Sequence, residues 1–542
     1  MTVSTGQYLT TLLQAYGVDH VFGIPGVHTV ELYRGLENSQ IRHITPRHEQ
    51  GAGFMADGYA RVTGKPGVCF IITGPGMTNI LTAMGQAYAD SIPMLVISTV
   101  NSHGRMDSGD GWLHEMPDQR GMVENLTAFS RTIHRPEDLP AAMAQAFAVF
   151  EGARPRPVHI ELPINVVRAS ADHLPPPVRA PVLAPPAPAR SAIQAAKDLL
   201  SEAKHPVILV GGGAVKAAAA VKQLAERLDA PVVMTVNARG MLDHVHPLSV
   251  SLSASMPKTR ALIADADVVL ALGTEFGKTD YDNYENGQFA IPGRLIRVDL
   301  DPQQIRRGAV AEIGLVADAL ETAEALLAAL PEHVDHDGAA RAEKAMRGRA
   351  ELSGAMRGDL VMLDAMRDAL PEAIFVGDST QLVYAGNTAF AAARPASYFN
   401  SATGFGTLGY GLPAATGAAL GSGGRPVIAL VGDGGLQFSL AELASAVEAD
   451  VPVILMLHDN SGYGEIKTYM QSKGIAPLGV DILTPDLAEM AKASGWTVKR
   501  LDSRDDLANS LRELAHAARP AMLIFGDDVR HAFQRAAEAK LS

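Results

Sequence analysis

The sequence predicts an α/β protein of three doubly wound domains, each with a parallel sheet covered by helices on both faces. Short runs rich in β-branched residues alternate with alanine-rich stretches of helical length along the 542 residues, as in parallel strands joined by crossover helices. The candidate strands are apolar throughout, which indicates burial on both faces. The six clearest are 68–72, 94–98, 207–210, 268–272, 427–431 and 453–457.

Two breaks divide the chain into three domains. Seven prolines lie between Leu174 and Arg190 and exclude both a helix and a central strand there. A weaker, polar break runs from Pro331 to about Asp359. We therefore expect domains at 1–174, 190–335 and 355–542.

The first and third domains share a pattern that predicts a duplicated α/β unit. In the first, an apolar run ends at 74–76 with the sequence Gly-Pro-Gly, and Pro93 precedes the next strand. In the third, a run ends at 432–434 with Gly-Asp-Gly, and Pro452 precedes the next strand at nearly the same spacing. Only the third copy can bind a metal at this position, because the first has proline in place of aspartate.

Composition excludes several classes of protein. The net charge of -13 argues against a nucleic-acid partner, because such proteins gain affinity from clustered Lys and Arg. Cys69 is the one cysteine and lies in an apolar run, which predicts a buried, inert thiol and no internal disulfide. No segment reaches the length of a membrane span, and residues 1–22 lack the features of a secretory signal. We expect a cytoplasmic enzyme that binds neither nucleic acid nor membrane.

Asp433 and Asn460 each follow a buried strand, so both are expected at the carboxyl edge of one sheet, where open α/β sheets bind ligands. Mg²⁺ prefers oxygen ligands and takes few of them from the protein when phosphate is present. The Asp433 carboxylate, the Asn460 side-chain oxygen and the Gly462 carbonyl would supply three. Gly434 and Gly435 would let the backbone approach a diphosphate closely.

Gly-Asp-Gly with Asn460 placed 27 positions after Asp433 resembles the signature of thiamine diphosphate-dependent enzymes. That family includes acetolactate synthase, benzoylformate decarboxylase and pyruvate decarboxylase. Other motifs of the family occur in their expected order along nearly the whole chain, at 23–26, 47–52, 74–79, 157–163 and 298–302. The resemblance identifies the three domains as pyrimidine-binding, central and diphosphate-binding.

The resemblance also implies individual roles. Glu49 is expected to hydrogen-bond the aminopyrimidine ring and drive ylid formation, a task that needs a carboxyl group in an apolar, partly desolvated site. Gly406 and Leu408 are expected to bind the same ring, with Leu408 wedging the cofactor into a bent form. The other cofactor-binding candidates are Gly432, Gly434, Gly435, Ser379, Thr380, Tyr463, Pro25, Thr73 and Asn79. Because the family builds each site from two subunits, we expect at least a homodimer, and a homotetramer in solution.

The central domain gives weaker signals. Residues 207–214 resemble a dinucleotide-binding turn but lack the third glycine of that motif, so NAD is not predicted. Some relatives bind FAD near the segment equivalent to 273–277. The arginine that they carry after Phe276 is missing here, which leaves FAD open without predicting it.

The substrate residues depart from those of the named relatives. Val27 stands where pyruvate decarboxylases place Asp, and Ile72 where benzoylformate decarboxylase places His. His114 aligns with an active-site Gln of acetolactate synthase and is the first candidate proton donor near neutral pH, with His28 second. Val27 and Glu115 are further candidates for substrate contact.

Glu465 lies two residues after Tyr463, where relatives carry Met, Ala or Ile facing the substrate. A carboxylate there would favour a cationic substrate, since guanidinium binds a carboxylate through two hydrogen bonds. The alternative is a solvated Glu465 paired with Lys467 or Lys473.

We therefore expect non-oxidative decarboxylation of a 2-oxo acid to an aldehyde and CO₂, with 5-guanidino-2-oxopentanoate, giving 4-guanidinobutanal, as the specific candidate. Two alternatives stay open. One is a carboligase of the acetolactate synthase type, which joins two 2-oxo acids. The other is a non-catalytic binding protein that has kept the fold.

Overall fold

The computed structural model describes residues 2–283, 287, 289–331 and 336–539. It contains three six-stranded sheets, and every pairing of strands within them is parallel. Helices connect the strands in each domain. The predicted class, three parallel-sheet α/β domains, is confirmed.

The first domain contains six strands. They are β1 (His20–Gly23), β2 (Arg42–Ile44), β3 (Gly67–Ile71), β4 (Met94–Val100), β5 (Phe129–Thr132) and β6 (Val158–Pro163). Its helices are α1 (Thr5–Ala15), α2 (Val30–Leu36), α3 (Glu49–Thr63), α4 (Pro75–Asp90), α5 (Gln119–Glu124), α6 (Leu139–Gly152) and α7 (Ile164–Val167). The order in the sheet is β2-β1-β3-β4-β6-β5, and β3 and β4 are buried along their whole length.

The central domain has the strand order of dinucleotide-binding sheets, with two halves that diverge from the middle. Its strands are β7 (Val207–Val210), β8 (Val232–Met234), β9 (Ser249–Val250), β10 (Val268–Leu272), β11 (Arg294–Asp299) and β12 (Ile313–Val316). Its helices are α8 (Arg190–Glu202), α9 (Ala218–Leu228), α10 (Pro257–Ala264), α11 (Lys278–Tyr281), α12 (Pro302–Ile305), α13 (Ala319–Ala329) and α14 (Gly338–Met346). The order is β12-β11-β10-β7-β8-β9.

The third domain repeats the topology of the first. Its strands are β13 (Ile374–Gly377), β14 (Tyr398–Asn400), β15 (Val427–Gly432), β16 (Val453–His458), β17 (Thr497–Arg500) and β18 (Ala521–Phe525). Its helices are α15 (Gly354–Ala369), α16 (Gln381–Ala389), α17 (Gly411–Gly421), α18 (Asp433–Leu436), α19 (Glu442–Glu448), α20 (Gly464–Ser472), α21 (Leu487–Ala493), α22 (Leu507–Ala515) and α23 (Asp527–Ala539). The order β14-β13-β15-β16-β18-β17 matches the first sheet strand for strand, as a duplicated unit requires.

Close contact between α3 and α17 joins the first and third domains. A Cβ atom at Gly58 would overlap the carbonyl oxygen of Ala414, and one at Gly417 would overlap that of Met55. Only glycine lets the two backbones approach this closely. The side chains around the contact belong to one continuous apolar core that includes both domains.

The two predicted breaks differ in structure. Residues 175–189 form neither helix nor strand, as the prolines require. After Pro331, by contrast, α14 packs against α10, and its Ala342 and Ala345 are buried in the core of the central domain. Small apolar residues three positions apart give this polar stretch a helix face that can be buried. Residues 332–335 lie outside the described part of the chain.

The environment of Cys69 agrees with an inert thiol. Its side chain is fully buried, and burial raises the pKa of the thiol. A protonated thiol is a poor nucleophile. In the described part of the chain, no helix is both long and apolar enough to cross a membrane.

Candidate functional site

A carboxylate, a side-chain amide and a backbone carbonyl meet where β15 and β16 end. Asp433 begins α18 directly after β15 and is 1% exposed. The side-chain amide of Asn460 lies 3.0 Å from Asp433 Oδ1 and 2.9 Å from the Gly462 carbonyl oxygen, and the hydrogen-bonding pattern has its Nδ2 donate to both. Thr484 Oγ1 donates to the other carboxylate oxygen of Asp433 at 2.7 Å. The three ligand candidates predicted from the sequence therefore lie together in the structure. Thr484 is a further neighbour of Asp433.

The spacing of these oxygens fits a hard cation. Metal–oxygen bonds of ~2.1 Å in an octahedron put neighbouring ligands ~3.0 Å apart, which is the separation found here. This fit applies when the amide turns its oxygen toward a cation, whereas by hydrogen bonding alone Asn460 Nδ2 donates to both neighbouring oxygens. Among the described residues, no group of three or more His, Cys, Asp or Glu could hold a metal. The remaining ligands of a cation at this site would therefore come from a bound phosphate or from water.

The glycines of this edge are required by packing as well as by access. A Cβ atom at Gly434 would lie 2.7 Å from the ring of Tyr463, and one at Gly462 would lie 2.5 Å from the Val480 carbonyl oxygen. Both contacts are closer than a real Cβ atom tolerates. The loop after β16 is thereby held against the start of α18.

Asp378, which the sequence reading overlooked, fixes the loop at 404–409. It follows β13 at the same sheet edge, and its carboxylate accepts hydrogen bonds from Ser379 N at 2.8 Å and Gly411 N at 2.9 Å. Burial raises the pKa of Asp378 to about 6, against the opposing effect of these backbone donors. Ser379 Oγ also donates to the Thr407 carbonyl at 3.3 Å. The loop carrying Leu408 is thus tied to the end of β13.

A cavity of about 610 Å³ lies between the central and third domains. Twelve of the predicted site residues line it together: Ser379, Thr380, Gly406, Leu408, Gly432, Asp433, Gly434, Gly435, Asn460, Gly462, Tyr463 and Glu465. No residue of the first domain is part of this wall in the described chain.

Glu465 faces this cavity, and Arg530, a cation that acts on its charge, bonds to Gln381 rather than to Glu465. Its Oε2 accepts a hydrogen bond of 3.4 Å from Gln381 Nε2, and it forms no ion pair with any described residue. Lys467 pairs with Asp481 at 2.7 Å, while Lys473 lies over a tyrosine ring of its own helix. The pairing of Glu465 with either lysine, which the sequence left open, is not found.

Glu49 lies in the first domain at the start of α3 and is 9% exposed. Asn79 Nδ2 donates to its Oε2 at 2.9 Å, so two predicted site residues are in contact. The backbone before Glu49 is held by the third domain. Glu442 Oε1 accepts hydrogen bonds from Arg47 N at 3.0 Å and His48 N at 3.1 Å.

Three other candidates of the first domain differ in their environments. Thr73 is buried and donates to Gln119 Oε1 at 2.8 Å. Pro25 and Val27 are exposed, Val27 to 59%. Their surfaces are free to meet a ligand or another chain.

The two histidine candidates form a pair. The rings of His28 and His114 meet edge to face with centroids 5.1 Å apart, and the Nδ1 atom of each is buried without a hydrogen-bond partner. Burial, with a smaller contribution from His114, lowers the pKa of His28. The sequence ranked them as first and second choice, whereas the structure places them in contact.

Glu115 is hydrogen-bonded to its own loop. Its carboxylate accepts five hydrogen bonds from the neighbouring loop, donated by Ser108 N, Ser108 Oγ, Gly109 N, Gly111 N and Trp112 N at 2.8–2.9 Å. These donors hold the pKa of Glu115 down, at about 2. With five donors on its carboxylate, Glu115 organises the loop that carries His114, and its contact with a substrate stays a prediction.

The glycine run of the central domain has a packing explanation. A Cβ atom at Gly211 would overlap the carbonyl oxygen of Gly273, and one at Gly213 would lie 3.1 Å from the Gly273 Cα atom. The close approach of two backbones accounts for these glycines without a bound dinucleotide.

The site residues that sequence reasoning missed differ in the signal they offered. Asp378 follows a buried strand, as Asp433 does, and could have been found by the same rule. Thr484, Gln381 and Glu442 reach the site from distant parts of the chain. Their hydrogen bonds join residues that no local pattern connects.

Comparison with known proteins matches all three domains. Residues 3–122 match the thiamine pyrophosphate enzyme N-terminal TPP binding domain, residues 193–326 its central domain, and residues 378–525 its C-terminal TPP binding domain.

Similar proteins cover nearly the full length. The chain is 46% identical over 520 residues to the probable 2-ketoarginine decarboxylase AruI of Pseudomonas aeruginosa, covering 94% of this chain and 92% of that protein. It is 32% identical over 533 residues to the acetolactate synthase isozyme 1 large subunit of Escherichia coli, covering 95% and 92%. It is 31% identical over 542 residues to the probable acetolactate synthase large subunit of Methanocaldococcus jannaschii, covering 94% and 90%. The family resemblance expected from the motifs is confirmed: the chain belongs to the thiamine pyrophosphate enzyme family and is a thiamine diphosphate-dependent enzyme.

Proposed function

We propose that the protein is a Mg²⁺-dependent decarboxylase that converts 5-guanidino-2-oxopentanoate to 4-guanidinobutanal and CO₂. One observation supports the substrate above all: Glu465 lies in the cavity wall beside the cofactor residues and forms no ion pair with a described residue. A guanidinium group could take both oxygens of such a carboxylate. The similarity to a probable 2-ketoarginine decarboxylase points to the same substrate.

The negative charge of the cavity lining also favours a cationic tail. Its described lining contains the carboxylates Asp280, Asp433 and Glu465 and neither lysine nor arginine. An oxo acid with an uncharged tail would gain nothing from this charge. A tail carrying a second carboxylate would be repelled.

Asp433, Asn460 and the Gly462 carbonyl would hold Mg²⁺, which would in turn hold the diphosphate. The ~3.0 Å spacing expected between neighbouring Mg²⁺ ligands supports this assignment. Thiamine diphosphate, when bound, supplies the carbon nucleophile and the electron sink that decarboxylation needs. Leu408, Ser379 and Thr380 line the same cavity and would fix the position of the cofactor.

The first domain would supply the proton-transfer groups. Glu49 is desolvated and held by Asn79, so it could share a proton with a ring nitrogen of the cofactor. His28 and His114 carry partnerless Nδ1 atoms, and either could protonate the carbon that loses CO₂.

The proposed site needs two subunits. No first-domain residue lines the cavity of its own chain in the described structure, so Glu49 would come from the first domain of a partner. This supports at least a homodimer, and the homotetramer and the cytoplasmic location stay predictions.

Product analysis on the purified enzyme tests the reaction. With thiamine diphosphate and Mg²⁺, we expect kcat/KM for 5-guanidino-2-oxopentanoate to exceed that for pyruvate, benzoylformate and a branched oxo acid by at least ~10-fold. The similarity to acetolactate synthases makes a carboligase the second candidate. Acetolactate from pyruvate, with no aldehyde from the guanidino acid, would establish that alternative.

A further inference from the structure

The central domain contributes a carboxylate of its own to the cavity. Asp280 belongs to α11 and lines the same space as Asp433 and Glu465. It is the central domain's one acidic residue in the described wall. The function proposed above assigns it no role.

The position of Asp280 is fixed from two sides. Its Oδ1 accepts a hydrogen bond from Val236 N at 3.0 Å. Ser253 Oγ and Ser255 Oγ both donate to its backbone carbonyl, at 3.1 and 3.0 Å. Its Oδ2 has no hydrogen-bond partner in the described structure, so one oxygen remains to bind a ligand.

The described cavity wall contains no lysine or arginine that could pair with Asp280. Lys278 of the same helix pairs with Asp282 at 3.4 Å, and Asp280 forms no ion pair with any described residue. Arg239 is the cation that stabilises its charge most, but Arg239 is 2% exposed and does not line the cavity. Burial raises the pKa of Asp280 to about 6, and Asp90 and Glu275 act in the same direction.

A half-buried carboxylate with one unpaired oxygen is incompletely solvated, and an arriving cation would offset part of that cost. Guanidinium carries five N–H donors in one plane. One carboxylate accepts two of them, which leaves donors for a second acceptor.

We propose that Asp280 is a specificity-determining residue, through which the central domain binds the cationic tail of the substrate together with Glu465. The inference rests on the proposed function and deepens it, since it assigns substrate choice to two domains. A tail without charge gains nothing from Asp280.

Asp280→Asn separates this role from a structural one. Asparagine keeps an oxygen that can accept from Val236 N and removes the charge. We expect kcat/KM for 5-guanidino-2-oxopentanoate to fall ~10-fold, mainly through KM, while that for 2-oxohexanoate changes less than ~2-fold. Asp280→Ser, a second neutral variant, should show the same discrimination, which guards against a folding defect of one variant.

Asp243→Asn is the matched control. Asp243 is also a central-domain aspartate that accepts one backbone N–H, from Val245 N at 3.1 Å, and it does not line the cavity. This variant should leave both substrates unaffected. Equal losses on the charged and uncharged acids in both Asp280 variants would overturn the inference and leave only a structural role.

Calorimetry with unreactive acids distinguishes this inference from the proposed reaction. Holoenzyme should bind 5-guanidinopentanoate more tightly than hexanoate, and Asp280→Asn should reduce that preference ~10-fold. If this holds although the guanidino oxo acid is not decarboxylated, the proposed reaction fails and the role of Asp280 stands. If the substitution leaves the preference unchanged, the role of Asp280 fails whatever the reaction is.

Discussion

At the scale of single residues, the proposed substrate preference depends on Glu465, whose only hydrogen bond among the described residues comes from Gln381. We predict that Glu465→Ala lowers kcat/KM for 5-guanidino-2-oxopentanoate by ~100-fold and that for 2-oxohexanoate by much less, because only the charged tail loses a partner. Steady-state kinetics on both acids measure this. Glu489→Ala, which removes a carboxylate paired with Lys492 at 2.7 Å, is the control, and parallel losses in the Glu465 variant would contradict the prediction.

His159 is a residue whose protonation affects stability. It is fully buried, with Ser98 Oγ and Ser130 Oγ each 2.8 Å from a ring nitrogen, and burial lowers the pKa of His159 to about 3. Since an unfolded histidine titrates near ~6.5, the folded state loses stability as pH falls below that value, by about 2 kcal/mol at pH 5.

We predict that His159→Asn makes the melting temperature of the holoenzyme less sensitive to pH between 7.5 and 5, although the variant is less stable at pH 7.5. Differential scanning calorimetry at both pH values measures the difference. His173→Asn, at an exposed histidine paired with Glu137, should keep the wild-type sensitivity. An unchanged pH dependence in the His159 variant would show that another group controls it.

At the scale of elements, the α3–α17 contact decides how the first and third domains meet. We predict that Gly417→Ala lowers the free energy of unfolding by about 1–3 kcal/mol, because its Cβ atom has no room against the Met55 carbonyl. Denaturant unfolding followed by tryptophan fluorescence tests this. Gly152→Ala, at the end of α6, meets only Leu183 at 3.4 Å or more and should be close to neutral, and equal effects of the two substitutions would contradict this reason.

Some strands and part of the candidate site could be predicted from the sequence. The runs at 207–210 and 268–272 form β7 and β10 with the predicted ends, because a buried parallel strand needs a short apolar run bounded by loop residues. Asp433 and Asn460 could be paired because neighbouring parallel strands end at one edge. The contact of His28 with His114, and that of Glu442 with the start of α3, could not be predicted, since tertiary packing alone brings them together.

At the scale of the whole molecule, two domains of the same topology carry different residues at equivalent positions. In the first domain, Pro75 follows β3 and begins α4; in the third, Asp433 follows β15 and begins α18. These positions are equivalent in the two sheets, and only the third domain places a carboxylate there. The first domain instead carries Glu49, and in the proposed site a partner's Glu49 acts together with Asp433.

This division leads to a complementation prediction. Glu49→Gln and Asp433→Asn should each abolish decarboxylation, yet subunits mixed during refolding or coexpression should regain activity. In a mixed dimer, one site receives Glu49 from one chain and Asp433 from the other, while the second site receives neither. Because random pairing makes half of the dimers mixed, we expect about a quarter of wild-type activity.

A chain carrying both substitutions is the control for that experiment. Mixed with either single variant, it should restore nothing, because no pairing then unites an intact Glu49 with an intact Asp433. Differently tagged subunits allow the mixed dimers to be separated and their fraction measured. The rate of aldehyde formation divided by that fraction gives the activity per mixed dimer. If the two single variants together stay as inactive as each alone, Glu49 and Asp433 of the same chain form the site, and the two-subunit arrangement is wrong.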